Sequence, residues 1–146
     1  MAQESKGSEL AFDLASVLDN ARDAIGVDDS DGNVVYANRA FRRLFRLAPG
    51  EPLGQLEDYV VPQWRPRLQK AHALRMSGHP VVDVYEFEAR RRDGSTFWAE
   101  VSVVPLGGEG ANVGTQAIIR DVTARRTQRG LMHAHRMRAV GRLAAG

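Results

Sequence analysis

The sequence predicts an α+β fold in which an antiparallel sheet carries helices on one face. Three observations predict it. From Phe97 to Val103 the chain alternates, with Phe97, Ala99, Val101 and Val103 on one face and Trp98, Glu100 and Ser102 on the other. That period of two marks a half-buried strand. Val81 to Arg90 repeats it, setting Tyr85, Phe87 and Ala89 opposite Glu86 and Glu88. The strand patterns are also segregated, two early and three late with helical patterns between, as an antiparallel sheet requires.

Taken in order, Ser8 caps a helix with Glu9 in its first turn, and Leu10, Leu14, Val17, Leu18 and Ala21 form its apolar stripe. Ile25-Gly26-Val27 is a short strand, Asp31-Gly32 a hairpin turn and Val34-Val35-Tyr36 the returning strand. Asn38 caps a short helix with Phe41, Leu44 and Phe45 at its apolar positions. Pro49-Gly50 and Gly54 break the chain, and Pro62 precedes a helix from Trp64 to Met76 closed by Gly78 and Pro80. After the strand begun at Phe97, the Gly107-Gly108-Glu109-Gly110 turn leads to a last β-rich run, Val113 to Val122. It ends at Asp121-Val122-Thr123, good capping residues, and the chain beyond is rich in helix formers. The expected division is an amphipathic N-terminal helix over 1–22, a core over 23–122 and a long C-terminal helix over 123–146.

A chain of 146 residues suits one domain with a short extension. No run of apolar residues is long enough to span a membrane, and Met1 to Glu9 lack a signal-peptide pattern, so a soluble, cytoplasmic protein is expected. Cysteine is absent, which excludes disulfides and thiolate chemistry. The net charge of +2 hides a polarity: residues 1–31 carry eight acids against Lys6 and Arg22, and residues 120–146 carry seven arginines against Asp121. Those arginines fall all round a helix with no base-stacking aromatic among them, so nucleic acid is not an expected partner.

Chemistry-bearing clusters are few. Reading Asp28-Asp29-Ser30-Asp31-Gly32-Asn33 as a calcium loop with Gly32 at its invariant position puts Val27 and Asn38 where carboxylates are required, so a solvated hairpin turn is expected. Glu86 and Glu88 share a wet face, unsuited to acid–base work. His133 and His135 point about 200° apart on a helix and cannot chelate one ion. His79 sits in a turn, which leaves His72, beside Leu68, Ala71 and Met76, as the histidine that looks inward. No nucleophile elbow or phosphate loop is present, and no catalytic activity is expected of this chain.

The ordered set Tyr36-Ala37-Asn38-x-x-Phe41, Gly54, Arg92-Asp93-Gly94-Ser95-x-Phe97-Trp98 and Asp121-Val122-Thr123-Ala124-Arg125-Arg126 resembles a PAS sensor domain, over Leu18 to Arg126. The tail His135 to Gly146, with Gly141-Arg142-Leu143-Ala144-Ala145-Gly146, resembles the start of the dimerisation and phosphoacceptor helix of bacterial sensor histidine kinases. That resemblance places the phosphorylated histidine beyond Gly146, so neither His133 nor His135 is expected to be it, and it implies an ATP-binding region outside this chain. The family implies a five-stranded antiparallel sheet that encloses a pocket with its short helices. Strand parity nominates Tyr85, Phe87, Ala89, Phe97, Ala99, Val101 and Val103 for its lining, and Phe41, Phe45, Tyr59, Trp64, Leu68 and His72 face them from the helical side.

Two departures narrow the ligand. Flavin-photosensing relatives need a cysteine after Gly54, where this chain reads Gln55-Leu56-Glu57-Asp58, and Ile119 stands where their flavin-contacting glutamine would be. Flavin photochemistry is thereby excluded; haem-binding relatives place a histidine on the helix of Trp64 to Met76, but His72 lies about one turn from that place, so haem is not expected either. The resemblance thus implies the sensory and dimerisation module of a two-component histidine kinase. A homodimer through the N- and C-terminal helices is expected, with Asp121, Thr123 and Arg125 as the coupling joint and Asp121 paired to Arg125. The alternatives are a ligand-free dimerisation PAS module, its core filled by its own side chains, and more distantly a DNA-binding regulator using the basic tail.

Overall fold

The computed structural model describes residues 11–108 and 111–145, with side chains over 11–107 and 111–138. Five strands, β1 (Ala24–Asp29), β2 (Val34–Ala37), β3 (Val84–Arg90), β4 (Thr96–Gly108) and β5 (Ala111–Asp121), form one antiparallel sheet in the order β2-β1-β5-β4-β3. The helices are α1 (Leu14–Asp19), α2 (Arg39–Leu44), α3 (Arg65–Met76) and α4 (Thr123–Ala145). Two 3-10 turns, Leu56–Tyr59 and Pro62–Trp64, lead into α3.

Alternation sorts the sheet as the sequence suggests. Phe87, Ala89, Phe97, Ala99, Val101 and Val103 are buried on the inner face, under Phe41, Phe45 and Tyr59. The aromatic rings make one stack: Phe45 lies 4.6 Å from Phe41, 4.9 Å from Tyr59 and 5.5 Å from Phe97, centroid to centroid. Offset and edge-on contacts of this kind add to the burial energy. Gly26 lets α2 approach β1 closely, since a Cβ there would stand 2.9 Å from the Phe41 ring.

Boundaries differ where burial overrides pattern. β3 starts at Val84, not Val81, because Val81 and Val82 leave the sheet to line a crevice against α3. Helix α1 begins at Leu14, with Asp13 as its cap accepting from the Ser16 N–H at 2.9 Å. Ser8 and Leu10 lie outside the described residues. Leu14 and Val17 of the expected stripe are exposed in the single chain.

Asn38 fixes the entry to α2. Fully buried, it accepts from the N–H groups of Ile25 and Phe41, both at 2.9 Å, and donates to the carbonyls of Leu18 at 2.8 Å and Asp23 at 3.0 Å. One amide therefore joins α1, β1 and α2. Asn38→Ala removes a helix cap and orphans the buried Ile25 N–H, so urea unfolding should show a loss of about 2–4 kcal/mol. A loss below about 1 kcal/mol would mean that water replaces these bonds.

Candidate ligand cavity and helix junction

A cavity of about 60 Å³ lies between the inner face of the sheet and α3. Phe41, Phe45, Tyr59, Leu68, Tyr85 and Phe87 line it, together with Val101 and Val103 from β4 and His72 from α3. Ala117 and Ile119 of β5, with Val34, Leu56 and Val60, add to its apolar wall. Ala89, Phe97 and Ala99 are buried beside it but off its wall. The reason is steric: the Phe41–Phe45–Tyr59–Phe97 ring stack fills the space above the two small alanines. The open volume lies instead over β1, β5 and the Tyr85–Phe87 and Val101–Val103 stretches of β3 and β4.

The polar end of the cavity is built on Asp28, which the alternation of β1 turns inward with Ala24 and Gly26. The sequence reading put this residue in a solvated turn; the structure buries it to 3% exposure. Asp29 is the turn residue, its carboxylate accepting from the N–H groups of Asp31 and Asn33, both at 2.9 Å. One Asp28 oxygen, Oδ1, accepts from the Thr115 N–H at 2.8 Å and from the Thr115 hydroxyl. Oδ2 lies 3.3 Å from His72 Nδ1 and, among the described residues, has no hydrogen bond of its own. His72 Nε2 lies 3.1 Å from the Ser30 carbonyl, an acceptor only, so Nε2 carries a proton. Nε2 of His72 is thus committed to Ser30, while Nδ1 only approaches Asp28. Gly114 keeps this corner tight: a Cβ there would meet the Asp28 carbonyl at 2.1 Å.

A second opening of about 200 Å³ lies between α3 and the edge strand β3, lined by Trp64, Ala71, Val81 and Val82. It shares Val60, Leu68, Arg75, Tyr85 and Phe87 with the first cavity. Trp64 therefore belongs to this crevice and not to the internal chamber. Arg75 stands at the boundary, buried, with its guanidinium 5.7 Å over the Tyr85 ring and Nη2 donating to the Val82 carbonyl at 2.8 Å. Its inward position follows from spacing, since Leu68, His72 and Arg75 share one face of α3. The i, i+4, i+7 spacing of these three residues is the sequence signal for it.

The outer face of the sheet holds the start of α4. Glu86 and Glu100 are direct cross-strand partners, a like-charge pair that is unfavourable alone. Arg125 bridges them at 3.1 and 2.9 Å, and Arg126 and Arg129 reach Glu86 at 3.0 and 2.9 Å. Burial pulls the Glu86 carboxyl up, but the bonds from Arg125, Arg129 and Arg126 outweigh it and hold the group below its ordinary range. Arg126 also lies 3.6 Å over the Trp98 ring, and Trp98 meets Trp64 edge-on at 6.1 Å. At the junction the Trp98 N–H donates to the Thr123 hydroxyl at 2.9 Å, and Asp121 Oδ1 accepts from the Thr123 N–H at 3.0 Å. Asp121 pairs with Arg91 at 3.4 Å, not with Arg125 as its spacing suggested. Two outer-face carboxylates draw Arg125 the other way.

This sheet order, with helices on one face and a helix leaving directly from the last strand, is that of a PAS domain. The chain belongs to the PAS domain family, whose profile matches residues 22–124. It is 28% identical over 128 residues to the C4-dicarboxylate transport sensor protein DctS of Rhodobacter capsulatus, a match covering 84% of this chain and 19% of that protein. The chain thus spans less than a fifth of that relative. Among solved structures it is similar to the PAS domain of a protein from Colwellia psychrerythraea, with a TM-score of 0.64, 27% identity, and coverage of 75% of this chain and 94% of that one. The sensory box histidine kinase/response regulator from Burkholderia thailandensis shares the fold, with a TM-score of 0.66 at 18% identity over 85% of this chain and 95% of that one. No described helix is long and apolar enough to cross a membrane.

Burial pushes the Asp28 carboxyl above its ordinary 3.8, and the bonds from Thr115 and the charge of His72 only partly offset this. A carboxyl raised on folding holds its proton more tightly in the native chain. Its contribution to stability is therefore full below the unfolded value and lost as pH rises through the raised one. Asp28→Asn removes that loss, so the stability of the variant relative to the parent should rise over a series of pH values taken upward from about 4. Urea unfolding across this range checks it, and a flat or falling difference would contradict it.

Proposed function

We propose that this chain is the sensory and dimerisation module of a two-component histidine kinase, itself non-catalytic and cytoplasmic, acting on a kinase region through α4. The observation that carries this reading is the contact series Trp64–Trp98–Arg126, which runs from the ligand crevice to the first turns of α4. A ligand that moves Trp64 changes the seat of Trp98, and with it the cation–π and ion-pair contacts that set the angle of the helix. Such a ligand acts through its different affinity for two arrangements of this dock. Membership of the PAS family and similarity to a transport sensor protein support the kinase context. The open cavity favours a ligand-binding module over a solid-core one.

The dimer is carried by exposed apolar side chains on both flanking helices. Leu14 and Val17 on α1 and Leu131, Met132 and Met137 on α4 are all about half exposed or more in the single chain. Val140 and Ala144, which continue the spacing of Met137 along α4, lie where side chains are not described. Light scattering of the chain at micromolar concentration should give twice its 16.1 kDa. A 16.1 kDa species would remove the dimer from the reading.

The coupling is tested in a chimaera that joins this chain through α4 to the catalytic region of a histidine kinase. Trp98→Ala removes the ring between Trp64 and Arg126 and should shift the autophosphorylation set-point by about 2–30-fold, the factor equivalent to one cation–π contact. Thr123→Ser keeps the junction bond and should leave it unchanged. If Trp98→Ala leaves autophosphorylation unchanged in a folded chimaera, the outer face is not the route.

A further inference from the structure

The cavity and the crevice meet at five shared residues, and their chemistry is lopsided. The walls are apolar, whereas the closed end holds a buried carboxylate with one oxygen, Oδ2, lacking a hydrogen bond among the described residues. Such an oxygen is an acceptor awaiting a donor, because a buried polar group without a partner is costly. His72 does not fill the role: its Nδ1 stands 3.3 Å away without forming a proper bond, and its other nitrogen is committed to the Ser30 carbonyl. Thr115 uses its hydroxyl and its N–H on Oδ1.

We propose that cavity and crevice together take one small amphiphile, an alcohol or amine with an apolar chain, whose head donates to Asp28 Oδ2. This rests on the reading of the chain as a ligand-sensing module and names the class of ligand. Size supports the two-part arrangement. An apolar cavity that holds benzene measures about 150 Å³, so the internal chamber of about 60 Å³ admits only a head and the first carbons. The crevice of about 200 Å³ takes the remaining chain against Trp64, Leu68 and Val82. Arg75 flanks the passage, but its guanidinium is held by the Val82 carbonyl and lies over Tyr85. A carboxylate head pushed past it meets the Asp28 carboxylate in a poorly hydrated corner, where like charges repel strongly. The chamber therefore selects against free carboxylic acids.

The test uses the 146-residue chain, ¹⁵N-labelled, with hexylamine, 1-hexanol and hexanoate as probes. Titrations at neutral pH should shift the Asp28, His72 and Thr115 amides with hexylamine and with 1-hexanol. Hexylamine should bind at least about ten-fold more tightly than hexanoate, the factor expected for one hydrogen bond to a charged group. Asp28→Asn, nearly isosteric, should bring the two within about two-fold of each other, a free-energy difference below half a kcal/mol. The parent ratio alone decides the matter should that variant fail to fold. Hexanoate binding as tightly as hexylamine would make Arg75 the anchor and overturn the proposal. Absence of binding by all three probes, or shifts confined to the protein surface, would overturn it as well. None of these outcomes touches the kinase reading, which the chimaera tests separately.

Discussion

The period-two alternation of β4 is the constraint on which the rest depends. Because successive side chains leave a strand on opposite faces, Val101 and Val103 line the cavity while Trp98 and Glu100 seat the outgoing helix. The cavity wall and the seat of α4 are therefore separated by the thickness of one strand. A one-residue slip in its pairing with β3 or β5 would exchange the two faces at once. The thirteen-residue length of β4 pins the register, since Thr96–Ser102 pair with β3 and Ala99–Gly108 with β5.

Energetics divide along the same line. The half of the inner face over Ala89 and Ala99 is solid, closed by interlocked rings, and gives the domain its core. The remainder, over β1, β5 and the Val101–Val103 stretch of β4, keeps an open chamber and a buried carboxylate, both of which cost stability. Proteins keep such features where a site needs them, and this one has the chamber, the acceptor and the crevice together. On the outer face, Glu86 and Glu100 oppose each other across β3 and β4, and the arginines of α4 relieve the repulsion. Most of these pairs are exposed, where single ion pairs are weak. A dock built from several weak contacts around one ring is easier to rearrange than a packed seam.

Much of this was legible in the sequence because parity is a local property. The faces of β3 and β4, the Asn38 cap, the hairpin at Gly32 and the run from β5 into α4 all follow from residues close in the chain. Family membership followed from the same positions, Asn38, Gly94 and Asp121 among them. What escaped depended on distant partners. Asp28 read as one more acid in an acidic turn, and only Thr115 and His72, far away in sequence, explain its burial. Arg125 was assigned to Asp121 by helical spacing, whereas two carboxylates on neighbouring strands compete for it more strongly. The cavity moved away from the small alanines because ring volume from α2 and the 3-10 turn closes over them. Side-chain size on one strand does not determine empty space.

The central claim is that a ligand occupying the cavity and the adjoining crevice is felt on the outer face through Trp64 and Trp98. The most direct measurement follows the Trp98 indole N–H and the Thr123–Arg129 amides by NMR while 1-hexanol is titrated into the chain. The account predicts that these signals move along the same saturation curve as the Thr115 amide. Saturation of Thr115 with the indole and the α4 amides unmoved would contradict it, leaving a cavity that binds but does not signal through this face.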